Sequence, residues 1–119
     1  MKFVGSKRRL QKYLVPIITS CLSDVESYIE PFVGGCNLIE AIPPLVPRYA
    51  YDINPNLIAL FKALQYGWIP PDTVSEDKYR RARENIYNPE LTAFISICCS
   101  YSGKEWGGFA RGNDNKGRP

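Results

Sequence analysis

A glycine pair shortly after a short β-forming segment constrains this chain more than any other feature. Ser27-Tyr28-Ile29-Glu30 is rich in β-forming residues and predicts a short buried strand, closed by Pro31. Gly34-Gly35 follows, and a turn without Cβ atoms lets backbone N–H groups approach a ligand closely. The helix predicted over residues 37–42 would present its positive end there. The order favours a ligand-binding turn, and a tight turn without a ligand is the alternative.

A second strand is predicted at Arg48–Asp52, and Asn54 with Pro55 is typical of the start of a helix that ends at Gly67. Strand, glycine turn, helix, strand and helix describe a βαβ unit. The predicted fold class is therefore α/β with a parallel, doubly wound sheet. Two strands would leave such a sheet with open edges, so we expect the front part of a larger α/β domain.

The N-terminal segment predicts a helix over residues 7–22, capped by Ser6 and interrupted by Pro16. Its expected apolar face follows helical spacing: Leu10, Tyr13, Leu14, Ile17, Ile18 and Cys21. A signal peptide is the alternative for this segment, but its apolar stretch is short and contains a proline.

The character of the sequence changes at Trp68, so we predict one portion at 1–67 and a second at 68–119. The second begins with a linker and a charged helix around 76–86. Pro89 opens another helix, whose middle, Phe94–Cys99, is expected to be buried. The chain after Tyr101 is rich in glycine, polar and basic residues.

Composition excludes several classes of site. The 119 residues contain no histidine, which excludes Ser-His and Cys-His catalysis and histidine-ligated zinc within this chain. The four cysteines lack metal-ligand spacing and are expected to be reduced cytosolic thiols, with no metal bound. No apolar run approaches the roughly 20 residues of a membrane helix, so we expect a soluble protein without a membrane partner.

Charge is distributed unevenly along the chain, although the net charge is only +3. Residues 1–20 carry five basic groups and no acid, and residues 21–60 carry five acids and one base. Basic ends could hold a phosphate backbone while the acidic middle binds a small ligand. Scattered solvated charge is the alternative.

Two acids at predicted strand ends indicate the chemistry of that ligand. Glu30 would repel a phosphate and attract an ammonium or hydroxyl group, which favours a nucleoside or amino acid over NAD. Asp52 ends the second strand, where an acid can bind both ribose hydroxyls in nucleotide-binding α/β folds. The alternative for Asp52 is a turn or helix-capping acid within Asp52-Ile53-Asn54-Pro55.

Three segments together resemble the Dam-like (D12 class) adenine-specific DNA N6-methyltransferases. Phe3-Val4-Gly5-Ser6-Lys7 is similar to the family's aromatic-x-Gly-Gly-Lys element. Glu30–Cys36 is similar to its Glu-Pro-Phe-x-Gly-Gly-Gly turn, and Asp52–Ile58 to its Asp-x-Asn…Leu-Ile element. The resemblance covers residues 2–66 well and continues loosely to 111. Ser6 and Cys36 depart from the family, which usually has glycine at both positions.

The resemblance implies a Rossmann-like fold that binds S-adenosylmethionine, followed by the start of a helical DNA-recognition region. The implied cofactor-binding residues are Phe3, Gly5, Lys7, Glu30, Pro31, Phe32, Gly34, Gly35 and Asp52. Glu30 would lie near the methionine end, and Asp52 would bind the ribose. The residues expected to contact adenine-containing double-stranded DNA are Arg8, Tyr101, Lys104, Trp106 and Arg111, with Phe109 beside them. A disordered chain end is the alternative for this last region.

The family's catalytic Asp-Pro-Pro-Tyr element is missing from the sequence, so we assign no catalytic residue. In the family this element holds the exocyclic amine of a flipped adenine for direct methyl transfer. We therefore expect a truncated enzyme that is inactive alone, from a restriction–modification type of system in the cytoplasm of a bacterial or phage-infected cell. The alternatives are a non-catalytic cofactor- or DNA-binding remnant, and one half of a split enzyme whose partner polypeptide carries the element. An NAD-dependent oxidoreductase is disfavoured by Glu30.

Overall fold

The computed structural model describes residues 1–112 and contains both helices and strands. Its two strands are β1 (Tyr28–Glu30) and β2 (Arg48–Ala50). Its α-helices are α1 (Gln11–Cys21), α2 (Asn37–Ala41), α3 (Pro55–Gln65), α4 (Glu76–Arg81) and α5 (Pro89–Ala93). A π-helical segment follows α5 at Phe94–Cys98, and short 3-10 helices lie at Lys7–Leu10, Leu22–Asp24, Ala82–Glu84 and Tyr101–Gly103.

The two strands form a parallel pair, as the sequence predicts, with Tyr28 opposite Arg48 and Glu30 opposite Ala50. Backbone contacts continue beyond β2, because the Tyr51 N–H donates to the Glu30 carbonyl and the Val33 N–H donates to the Tyr51 carbonyl, both at 2.9 Å. This pairing fixes the chain that follows β1 against the chain that follows β2.

The contacts of the chain group into two units. The first comprises Met1 and Gly5–Pro55, and the second comprises Lys2–Val4 and the chain from Asn56 onward. The predicted division at 67/68 stays a prediction, and residues 113–119 of the predicted second portion lie outside the described part.

A small apolar core holds the first unit together. Leu22, Leu38 and Ile42 are buried, and α1 packs on them with Leu14, Val15 and Ile18. The predicted apolar face of this helix is partly wrong, since Leu10, Tyr13, Ile17 and Cys21 are exposed. Within α1 the side that packs runs through Leu14, Val15 and Ile18, so Tyr13 and Ile17, each one position before a packed residue, are turned away by about 100°.

An aromatic core holds the second unit together. Tyr79, Ala82 and Ile95 are buried, and Trp106 and Phe109 pack against them. The π-helical segment after α5 is buried at Ile95–Ile97, as predicted for the middle of the helix that begins at Pro89, but Cys98 is exposed. An antiparallel bridge joins Ser100 to Phe109 and closes the loop between them.

Candidate functional site

Two carboxylates lie at the same edge of the parallel pair. Glu30 is the last residue of β1, and Asp52 follows β2 by two residues. The carboxyl ends of parallel strands meet at one edge of a sheet, which is where α/β proteins bind ligands. The structure therefore brings together the acids that the sequence analysis selected.

The Glu30 side chain is buried and has capacity to accept hydrogen bonds. The residue is 4% exposed, and Lys7 Nζ lies 3.0 Å from Oε1. Neither carboxylate oxygen accepts a hydrogen bond of normal geometry. The negative charge of Glu30 also affects the neighbouring Tyr28 hydroxyl. The pKa of Tyr28 is raised, first by burial and then by the charge of Glu30. A buried carboxylate is stable only when it is paired and hydrogen-bonded, so Glu30 is suited to receive a donor group from a ligand.

Lys7 links the end of β1 to the turn that follows. Besides its ion pair with Glu30, its ammonium donates to the Phe32 carbonyl at 2.6 Å. Ser6 caps the 3-10 turn that begins at Lys7, as predicted, by accepting from the Arg8 N–H at 3.2 Å. Ser6 adopts φ −56° and ψ 133°, a conformation open to any residue, so the family's glycine is dispensable here.

The glycine turn lies against Asp52. The Gly34 N–H donates to Asp52 Oδ2 at 2.9 Å, while Oδ1 accepts from the Asn54 N–H at 3.0 Å. Asp52 thus makes the turn contact that was the alternative to ribose binding. Each carboxylate oxygen has two lone pairs, so both oxygens keep capacity for hydroxyl donors.

Cys36 occupies a left-handed backbone position, with φ 57°. That explains why the family usually has glycine here, since a side chain in this conformation is strained by its own Cβ atom. The pKa of the Cys36 thiol is raised from 9.0 to about 11, mainly by burial and then by the charge of Glu30. The thiol is therefore protonated and a poor nucleophile at neutral pH.

Exposed apolar side chains flank the two acids. Phe32 is 77% exposed, and Ile53, which the sequence analysis did not select, is 98% exposed. In the sequence, only its position directly after Asp52 indicated that Ile53 could belong to the site. Pro31 and Gly5 are exposed, and Gly35 is buried in the turn.

Phe3 belongs to the second unit, beside the Tyr101–Gly103 turn. The Val4 N–H donates to the Gly103 carbonyl at 3.3 Å. A Cβ atom at Gly103 would lie 2.5 Å from the Lys2 carbonyl oxygen, so only glycine allows this approach. The segment that contains Phe3 and the turn that contains Tyr101, two residues that the resemblance selects, are thus in contact. Contact of Phe3 with a cofactor stays a prediction.

The residues predicted to contact DNA differ in their surroundings. Arg8 and Lys104 are exposed, and Tyr101 is 71% exposed. Trp106 instead packs edge-on against Tyr79, with ring centroids 5.6 Å apart, and Arg111 pairs with Glu76 at 2.8 Å. Arg8, Tyr101 and Lys104 are therefore the more available for a partner, and the DNA contacts stay predictions.

Among residues 1–112, no group of three Cys, Asp or Glu side chains could hold a metal ion. No helix in this part of the chain is both long and apolar enough to span a membrane.

Comparison with protein families identifies the class. The family model of the D12 class N6 adenine-specific DNA methyltransferases matches residues 3–91. This range covers most of the chain and includes Lys7, Glu30, the glycine turn and Asp52. The chain therefore belongs to the D12 class of N6 adenine-specific DNA methyltransferases, and the resemblance found in the sequence is confirmed. Comparisons with curated proteins and with solved structures found no match.

Proposed function

We propose that this chain supplies the S-adenosylmethionine-binding part of a DNA adenine N6-methyltransferase with a Rossmann-like fold. One observation carries the proposal: a buried Glu30 carboxylate without a normal hydrogen bond lies beside Lys7, at the strand edge that also holds Asp52. These residues fit a ligand that combines an amino acid with a ribose.

Each side chain at this edge has a role that its chemistry suits. Glu30 would accept from the ammonium of the methionine moiety, and the Lys7 ammonium would attract its carboxylate. Gly34 and Gly35 would give close backbone approach, and Asp52 would accept from ribose hydroxyls. The bound cofactor would supply the sulfonium methyl group.

Apolar contacts complete the proposed site. Ile53 and Phe32 are exposed and would cover the purine ring, since burying apolar surface contributes roughly 25 cal/mol per Å². Pro31 and Gly5 complete the part of the implied set that lies in the first unit, and a role for Phe3 rests on the resemblance alone.

The proposed nucleic-acid partner is double-stranded DNA containing adenine. Lys104 and Arg8 would contact phosphates, and the exposed Tyr101 ring would stack on a base. Trp106 and Arg111 would support Tyr101 and Lys104 through the contacts that hold their loop.

Methyl transfer needs a group that positions the adenine amine. The 119 residues contain no Asp-Pro-Pro-Tyr segment. We propose that this element lies outside them, either in a second polypeptide or in additional residues of the same polypeptide. A cytoplasmic restriction–modification role belongs to the same proposal. A non-catalytic cofactor-binding protein is the alternative, and methyl transfer by this chain alone would exclude it.

The test is a calorimetric titration with S-adenosylhomocysteine. We expect saturable binding that Asp52→Ala weakens at least about tenfold, since two ribose contacts are lost. Asp72→Ala, an exposed acid of the second unit, is the matched control and should bind normally. Ile53→Gln is the second variant, because a fully exposed side chain can be changed without disturbing the core. Absence of binding by a cooperatively folded wild type, or preference for NADH, would overturn the proposal.

A further inference from the structure

Asn37 is the first residue of α2, and its buried side-chain amide makes its hydrogen bonds to other residues of the first unit. The residue is 6% exposed. Its Nδ2 donates to Ser6 Oγ at 2.8 Å and to the Met1 carbonyl at 3.1 Å, while Oδ1 accepts from the Met1 ammonium at 3.3 Å. A side-chain amide has two donors and one acceptor group, so every polar function of Asn37 has a partner.

These contacts hold the turn that carries Lys7 from both sides. Before the turn, Ser6 bonds to Asn37 and caps the turn through the Arg8 N–H. After it, the Gln11 side chain donates to the Asn37 backbone carbonyl. Asn37 is therefore the common anchor of the residues immediately flanking Lys7–Leu10.

We infer that Asn37 is a positioning residue that acts through Lys7. By fixing the turn, it keeps the Lys7 ammonium on Glu30 and on the Phe32 carbonyl. A lysine side chain loses much rotamer freedom when it is held in one place. If the backbone that carries it is already anchored, less conformational entropy is lost when the cofactor binds. The inference rests on the proposed function, because it assigns Lys7 a part in binding the cofactor.

A double-mutant cycle separates this role from a purely structural one. Asn37→Ala should weaken binding of S-adenosylhomocysteine about tenfold, as expected for lost hydrogen bonds that preorganise the site. In a Lys7→Met background the same change should cost less than about twofold, because Asn37 then has no lysine to position. Asn88→Ala, an exposed asparagine without a side-chain capping bond, is the matched control. Equal losses in both backgrounds would overturn the inference.

A second readout needs no ligand. Acylation of lysines, followed by mass spectrometry, compares Lys7 with the exposed Lys62 in the same sample. Asn37→Ala should raise the Lys7-to-Lys62 ratio several-fold, since Lys7 leaves its ion pair. If Asn37→Ala does not fold, Gln11→Ala is the substitute, because it removes only the hydrogen bond to the Asn37 carbonyl. It should likewise weaken binding of S-adenosylhomocysteine and raise the Lys7-to-Lys62 ratio. An unchanged ratio would overturn the inference. If the wild type binds no S-adenosylhomocysteine, the proposed function fails, while the acylation ratio still decides whether Asn37 holds Lys7.

Discussion

The two units use their distinctive residues differently. In the first, polar side chains converge on the strand edge, while the register partners Ile29 and Tyr49 remain about half exposed. In the second, aromatic side chains pack against one another, with Trp106 and Phe109 in contact with the Tyr79 ring. The first unit therefore gathers its motif residues at one edge of the strand pair, and the second uses several of its own to build a loop. The predictions for the second unit accordingly concern the contacts that hold its loop, and those for the first concern the turn at Cys36 and the proposed cofactor site.

The largest expected effect is on the second unit, at Gly103. Gly103→Ala should lower the free energy of unfolding by about 3 kcal/mol, because φ is +69° and a Cβ atom would meet the Lys2 carbonyl. Gly67→Ala is the matched control, since Gly67 has φ +86° with nothing within 4 Å. It should cost only about 1 kcal/mol. Urea unfolding measures both, and equal losses would show that the N-terminal segment does not pack on Gly103.

A smaller effect of opposite sign is expected in the first unit, at Cys36. Cys36→Gly should stabilise the chain by up to about 1 kcal/mol, because glycine relieves the left-handed strain but adds freedom to the unfolded chain. Thermal or urea unfolding checks this, and Cys36→Val should destabilise instead. A loss of stability in Cys36→Gly would mean that packing of the thiol outweighs the strain.

The same residue predicts a pH dependence. The folded pKa of Cys36, about 11, lies above its ordinary value of 9.0, so the thiol contributes stability below pH 9.0. That contribution should be lost as pH rises from 9.0 through about 11, and Cys36→Gly should abolish this part of the loss. Unfolding curves between these pH values provide the measurement, and identical pH profiles would contradict it.

The smallest effect is expected at the ion pairs of Glu76. The pKa of Glu76 is lowered, first by its hydrogen bond from Arg80 and also by Arg111. Glu76 therefore stabilises the fold above its ordinary pKa, and this contribution is lost as pH falls. Because the Arg111 side chain is 60% exposed, Arg111→Ala should change stability only slightly, and the change should vanish at high salt. A large, salt-independent loss would indicate that Arg111 holds the loop in another way.

Local signals predicted much of the first unit. The strand–turn–helix–strand order, the parallel pairing and the Ser6 cap all follow from short patterns of β-forming residues, glycine and capping residues. Periodicity could not find Asn37, because its partners Met1, Ser6 and Gln11 lie 26 or more residues away. Periodicity also missed the π-helical segment after α5, at whose end Cys98 is exposed. The exposure of Ile53 likewise depends on how the chain leaves β2.

We propose above that the strand edge with Glu30 and Asp52 binds S-adenosylmethionine. An NMR titration of the ¹⁵N-labelled chain with S-adenosylhomocysteine tests it most directly, because it reports every backbone amide. We expect saturable shifts concentrated at Gly34, Gly35 and Asn54, with little change at Tyr87 or Glu90 of the second unit. Saturable shifts that leave the glycine turn and Asn54 unaffected would contradict it.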